Sequence, residues 1–176
     1  MKSTKKMIAL VVSIIVLGVL AFQFINETGP FQSNESSSLS DTKETEKVHV
    51  KRVVDGDTLI AINEQNEELK VRLIGIDTPE TVKPNTPVQP YGKEASDYSK
   101  AQLEDMDVYL EYDKEQEDQY GRTLAYLWLN KNTMHNEQLV QKGLAREKYY
   151  APNGKYRKVF QQAEEQAKDN NENIWS

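Results

Sequence analysis

Residues 47–81 read KVHVKRVVDGDTLIAINEQNEELKVRLIGIDTPET, and this stretch decides the fold. Alternation and β-branched residues mark strands near 47–54, 57–63 and 69–76. That period of two marks strands with one buried face. Asp55-Gly56 predicts a tight hairpin turn between the first two strands, and the polar residues 64–67 predict the second turn. Further along, apolar runs at 108–112 and 124–129 predict strands four and five. Helices are expected near 92–105, 134–142 and 155–169, the last with Tyr156, Val159, Phe160, Ala163 and Ala167 on one face. Gly143 stands where a helix C-cap belongs. Three antiparallel strands followed by interleaved helices and strands form an α+β pattern that can curl into a small sheet.

In the other direction, residues 26–46 contain eight Ser or Thr and little that could build a core, which reads as a flexible polar linker. Before it, Lys2, Lys5 and Lys6 precede an apolar run over residues 7–25. Its 19 residues fall within the ~17–25 that span a bilayer. A basic start followed by an apolar run predicts export. Both a cleaved leader and a retained membrane anchor fit residues 1–25. Lysines on the N-terminal side leave that end in the cytoplasm and the remainder outside. The expected location is therefore secreted or membrane-anchored, with the domain of residues 47–176 outside the cytoplasm. A monomer is expected.

Composition narrows the chemistry. The 176 residues contain no cysteine, which excludes disulfide scaffolds, thiolate nucleophiles and Cys-based zinc sites. The two histidines, His49 and His135, are too far apart in sequence to suggest a His-rich metal site. His135 reads as a solvated side chain at a helix start, and Trp128 and Trp175 read as packing. The formal net charge of −6 argues at first sight against a polyanionic partner. The acids are concentrated, however, with ten of them and only two bases in residues 94–118. Conversely, Arg146, Lys148, Lys155, Arg157 and Lys158 interleave with Tyr149, Tyr150 and Tyr156, opposed by Glu147 alone.

Taken singly, the polar clusters have plain readings. Val54-Asp55-Gly56-Asp57-Thr58 is a turn, Asp77-Thr78-Pro79-Glu80 a loop, and Tyr120-Gly121-Arg122 a turn with a solvated arginine. Together they read differently. Asp57 and Asp77 can converge at the mouth of one curled sheet, and their hard oxygens suit Ca²⁺ or Mg²⁺. Glu80, three residues past Asp77, is placed to act on a water beside such an ion. Arg72 and Arg122 supply planar forks matched to phosphate oxygens. An ion, a base and two guanidinium groups are the parts needed to attack a phosphodiester.

Five segments carry a closer likeness. They are Val54-Asp55-Gly56-Asp57-Thr58, the run 71–81 (VRLIGIDTPET), Tyr91-Gly92-Lys93-Glu94-Ala95-Ser96, the run 118–126 (DQYGRTLAY), and Asn173-Ile174-Trp175-Ser176. In order and with few gaps, they closely resemble the staphylococcal nuclease (thermonuclease) family from about Lys51 to the last residue. The resemblance implies a five-stranded OB-type β-barrel with three helices. It implies that Asp57, Asp77 and the backbone carbonyl of Thr78 bind Ca²⁺ and that Glu80 is the general base. It implies that Arg72 and Arg122 bind phosphate, with Arg122 also aiding the leaving 5′ oxygen. The implied reaction is hydrolysis of DNA and RNA at the P–O5′ bond, with little sequence choice and 3′-phosphorylated products. Tyr120, Tyr149 and Tyr150 resemble tyrosines of the nucleotide pocket, where a π-face stacks on any base.

The chain also departs from that pattern. Residues 82–90 (VKPNTPVQP) hold one lysine and three prolines where the family prototype is lysine-rich, and Gln119 replaces a lysine. The segment around Tyr149 and Tyr150 is one residue shorter, which leaves open which tyrosine stacks and which bonds phosphate. Two other readings compete. A non-catalytic nuclease-like module binding nucleic acid or protein usually lacks the acid–arginine set that this chain keeps whole. A surface-anchored structural domain leaves Arg72, Glu80 and Arg122 unexplained.

Overall fold

The computed structural model describes residues 44–81, 87 and 89–176. The apolar segment and most of the linker expected from the sequence lie outside them. Among the described residues no helix is long and apolar enough to cross a membrane.

The opening stretch folds as an antiparallel meander: β1 (Thr45–Asp55), β2 (Thr58–Asn63) and β3 (Glu68–Leu73). In β1, Val48 and Val50 point inward while Lys47, His49 and Lys51 face out. Alternation fails at Lys51-Arg52, both exposed, because the register slips there by one residue. This bulge bends the strand and returns Val53 to the core. Ordinary twist plus such bends lets a short sheet close on itself.

Closure comes from β5 (Asp107–Glu111) and β6 (Thr123–Asn130). β5 pairs with β1, β6 pairs with β5, and the start of β6 runs parallel to β3 with Arg72 opposite Leu124. The ring β3-β2-β1-β5-β6 is therefore a closed five-stranded barrel, as the resemblance implied. Its interior is apolar, with Val50, Ala61, Val71, Leu110, Ala125 and Leu127 each fully buried. A short β7 (Thr133–Met134) adds to the edge of β6.

The third sequence run does not continue as one strand. β3 stops at Leu73, and Ile76–Asp77 forms a separate β4 that pairs with β8 (Arg146–Glu147). Gly75 makes the break, with φ +80°, a conformation open to glycine. A Cβ there would also lie 2.4 Å from the Phe160 ring. The hairpin turn likewise sits one residue later than expected: Asp55 pairs with Thr58, leaving Gly56-Asp57 as the loop.

Three helices cover the barrel: α1 (Gly92–Leu103), α2 (His135–Gln141) and α3 (Arg157–Asp169). α1 buries a face of small residues, Ala95, Ser96 and Ser99, ending on Leu103, which lets it approach β1 closely. α3 buries Phe160, Ala163 and Ala167 at helical spacing, and Tyr156 just before it packs partly buried on the core. α2 begins with His135, and the structure corrects its expected solvation: the side chain is fully buried. Gly143 follows α2 at φ +58°, its amide donating to Val140 O.

Candidate active site

The hairpin loop between β1 and β2, the β3–β4 corner and the turn before β6 meet at one end of the barrel. They line a cleft of about 740 Å³ with Asp57, Arg72, Asp77, Thr78, Glu80 and Arg122. These are the six positions on which the sequence argument concentrated. Tyr120 and Tyr150 line it too, both well exposed as a stacking surface requires. Tyr149 does not line the cleft. Its ring packs under the Arg157 guanidinium, 4.4 Å from the ring centroid, and against Gly154.

Each side chain is held by identifiable partners. Asp57 is buried, and its Oδ2 accepts from both the amide and the hydroxyl of Thr78 at 3.0 Å. Its Oδ1 accepts from the Thr58 hydroxyl at 3.1 Å. Arg72 projects from β3 between the two aspartates. It is ion-paired with Asp57, and its Nη2 donates to Asp77 Oδ1 at 2.8 Å. Burial lowers the Arg72 pKa from its ordinary value, and Asp77 opposes that shift. A guanidinium remains charged at any working pH.

Arg122 is set by the turn that precedes it. Asp118 Oδ1 accepts the amides of Tyr120 and Arg122 at 2.9 and 3.0 Å, and Oδ2 accepts from Arg122 Nε at 2.7 Å. Burial raises the Asp118 pKa, but these donors outweigh it and leave the carboxyl below its ordinary range. The fork of Arg122 is therefore aimed by a carboxylate with ordered partners of its own. Gly121, at φ +70° with no atom within 4 Å of a Cβ, makes the turn without crowding the cleft.

The Glu80 amide donates to Gln89 Oε1 at 3.1 Å. Asp55 lies beside it. Burial raises the Asp55 carboxyl's pKa, Thr81 and the Gly56 amide oppose this, and the neighbouring Glu80 adds to the rise. From the sequence Asp55 was only a turn residue, and Asp118 and Thr81 had no role. The spacing of Asp118 to Arg122 was a usable signal, whereas Thr81 donating to Asp55 Oδ1 at 2.7 Å needed the structure.

Two carboxylates, Asp57 and Asp77, already face one positive centre, the Arg72 guanidinium. With the Thr78 carbonyl that the resemblance adds, they would make a hard oxygen donor set. That set fits a hard divalent cation with water completing its shell. Among the described residues there is no group of three or more acidic or histidine side chains able to hold a metal. Any ion held here therefore depends on the backbone and on water as well as on the two carboxylates.

A family model described as "Staphylococcal nuclease homologue" matches residues 70–176. The chain belongs to the staphylococcal nuclease family. It is 52% identical over 175 residues to a thermonuclease of Staphylococcus hyicus, covering 99% of this chain and 98% of that one. It is also 52% identical to a thermonuclease of Staphylococcus intermedius over 161 residues, 92% of each. An SPbeta prophage-derived endonuclease of Bacillus subtilis (strain 168) is 43% identical over 136 residues, 76% of this chain and 45% of its own length. The protein is accordingly a nuclease, a hydrolase of that family.

Family membership makes sense of the basic strip noted in the sequence. Part of it serves the fold: Lys155 Nζ bonds the buried Glu111 at 2.6 Å, and Arg146 stacks on Trp175 at 4.2 Å. Lys148 lies 5.9 Å from the Tyr150 ring at the cleft, where charge and a flat ring meet.

Proposed function

We propose that the protein is an exported, Ca²⁺-dependent nuclease that hydrolyses DNA and RNA with little sequence choice, at the P–O5′ bond. The observation that carries this reading is the convergence of Arg72, Arg122, Glu80, Asp57, Asp77 and Thr78 on one cleft. In the mechanism, Glu80 accepts a proton from a water as the water oxygen attacks phosphorus. The P–O5′ bond breaks, its electron pair stays on O5′, and a proton from solvent completes the 5′ hydroxyl. The phosphate remains on the 3′ side. Arg72 and Arg122 bind the non-bridging oxygens, whose charge grows in the transition state, and Arg122 also faces the leaving oxygen. A divalent ion held by Asp57, Asp77 and the Thr78 carbonyl would add positive charge where that negative charge develops.

Tyr120 and Tyr150 offer π-faces to the bases, which suits sequence tolerance. Export rests on the basic start and apolar run of residues 2–25, and it matches the metal. An oxygen site of modest affinity fills at extracellular Ca²⁺, at roughly millimolar concentration. The test is digestion of single- and double-stranded DNA and of RNA by medium and membrane fractions, with Ca²⁺ or excess chelator. Activity confined to the cytoplasm, or undiminished in chelator, would overturn the reading.

A further inference from the structure

Behind the Gly56-Asp57 loop, a chain of hydrogen bonds runs from the cleft into the helical layer. Ser99 on α1 is fully buried, and its hydroxyl donates to Gly56 O at 2.6 Å. His135, the first residue of α2, lies on the other side of that hydroxyl, its Nε2 3.0 Å from Ser99 Oγ. A carbonyl can only accept, so the single hydroxyl proton of Ser99 is committed to Gly56. The hydroxyl must then accept from His135, which fixes the ring as the Nε2–H tautomer. Consistent with this, His135 Nδ1 is buried with no hydrogen-bond partner, as the bare lone pair of that tautomer would be. The ring is held flat against Tyr98, 5.6 Å between centroids and 6° from parallel. Gly56 O and the Asp57 amide belong to one planar peptide unit, so orienting the first orients the second. Gly56 has little freedom otherwise, since a Cβ would lie 2.9 Å from Thr78 and 3.0 Å from Ala95.

We infer that His135 and Ser99 are positioning residues for the catalytic centre: His135 donates to Ser99, Ser99 donates to Gly56 O, and the peptide carrying Asp57 is thereby locked toward Asp77 and Thr78. The inference rests on the reading that Asp57 belongs to the centre. Its effect is on geometry at the reacting end, where small displacements lower turnover more than they weaken substrate binding.

The experiment combines kinetics of the full chain on single-stranded DNA with ¹⁵N NMR of the histidine side chains. Ser99→Ala removes the donor to Gly56 and is expected to lower kcat about tenfold with KM within about twofold. His135→Phe keeps a stacked ring without the donor and is expected to lower kcat about threefold or more. The conservative variants Ser99→Thr and His135→Gln keep the donors and should recover kcat to within about twofold of wild type. Wild-type kcat in Ser99→Ala and His135→Phe, with only a lowered melting temperature, would overturn the inference. In the unmodified protein NMR should find His135 protonated at Nε2 and bare at Nδ1; the opposite tautomer overturns the relay even if a variant fails to fold. Asp57→Asn separates the two levels. If it is active, the reading of the centre fails; if it is inactive while Ser99→Ala turns over normally, only the relay fails.

Discussion

Acidification from pH 7 to 5 should destabilise this protein through His135, and the size of the effect follows from its burial. Its side chain is fully inaccessible, stacked on Tyr98, with a lone pair at Nδ1 that faces no donor. Lys142 lies 5.3 Å from the same Tyr98 ring, so a second positive charge nearby would find no welcome. Burial holds the imidazole pKa down to about 4, against the ordinary 6.5. As pH falls, the unfolded chain therefore takes up a proton at His135 before the folded protein does. Stability is lost between 6.5 and 4, and the loss is complete below 4. The full gap corresponds to about 3 kcal/mol, of which about 2 kcal/mol is lost between pH 7 and 5. Replacing His135 by Gln keeps a donor but removes the titration. Urea unfolding followed by Trp128 and Trp175 fluorescence should show wild type losing about 2 kcal/mol more than His135→Gln from pH 7 to 5. Parallel pH dependence in the two proteins would refute the reasoning and restore a solvated histidine.

Two other perturbations test separate parts of the structure. Gly143→Ala places a Cβ 2.2 Å from the Glu172 carbonyl oxygen at φ +58°. It should cost about 2 kcal/mol or more in stability, and an unchanged melting temperature would contradict the packing of the C-terminus on α2. Asp118→Asn removes the charge that holds Arg122 Nε at 2.7 Å. It should lower kcat about tenfold with little change in stability, since the turn amides keep an oxygen acceptor; unaltered kcat would mean Arg122 is aimed without it.

The barrel was legible in the sequence because alternation in most of β1 and in β3, the apolar runs of β2, β5 and β6, and polar turn residues mark its strands, even though β2 is buried along nearly its whole length. Asn63 illustrates this: its side chain caps the amides of Gln65 and Glu67 in the second turn. The break after Leu73 was not legible, since Ile74, Gly75 and Ile76 continue an apolar run, and the bend rests on Gly75 at φ +80° beneath the Phe160 ring. The cleft residues were legible as a set because five separated segments fell in family order. Their supports were less so. Asp118 lay within a quoted segment without a role, and Ser99 and His135 are 36 residues apart in the chain. One histidine at a helix start gives no local sign of burial; the depth of the site beneath it comes from α1 packing with small residues on β1. Net charge misled at first because acids of residues 94–118 are engaged with the protein's own bases, Asp118 holding Arg122 and Glu111 taking Lys155.

In the proposed mechanism Glu80 and the Arg72–Arg122 pair act on one phosphodiester in a single cleft. Its most direct test is single-turnover cleavage of a labelled single-stranded DNA in saturating Ca²⁺, comparing wild type with Glu80→Gln and Arg122→Lys and identifying the product ends. Wild type is expected to leave 3′-phosphate and 5′-hydroxyl ends. Each variant is expected to cleave more slowly by roughly 10²–10³ or more, since one loses the base and the other the planar fork. Near-wild-type cleavage by either variant, or 5′-phosphate ends from wild type, would contradict these roles.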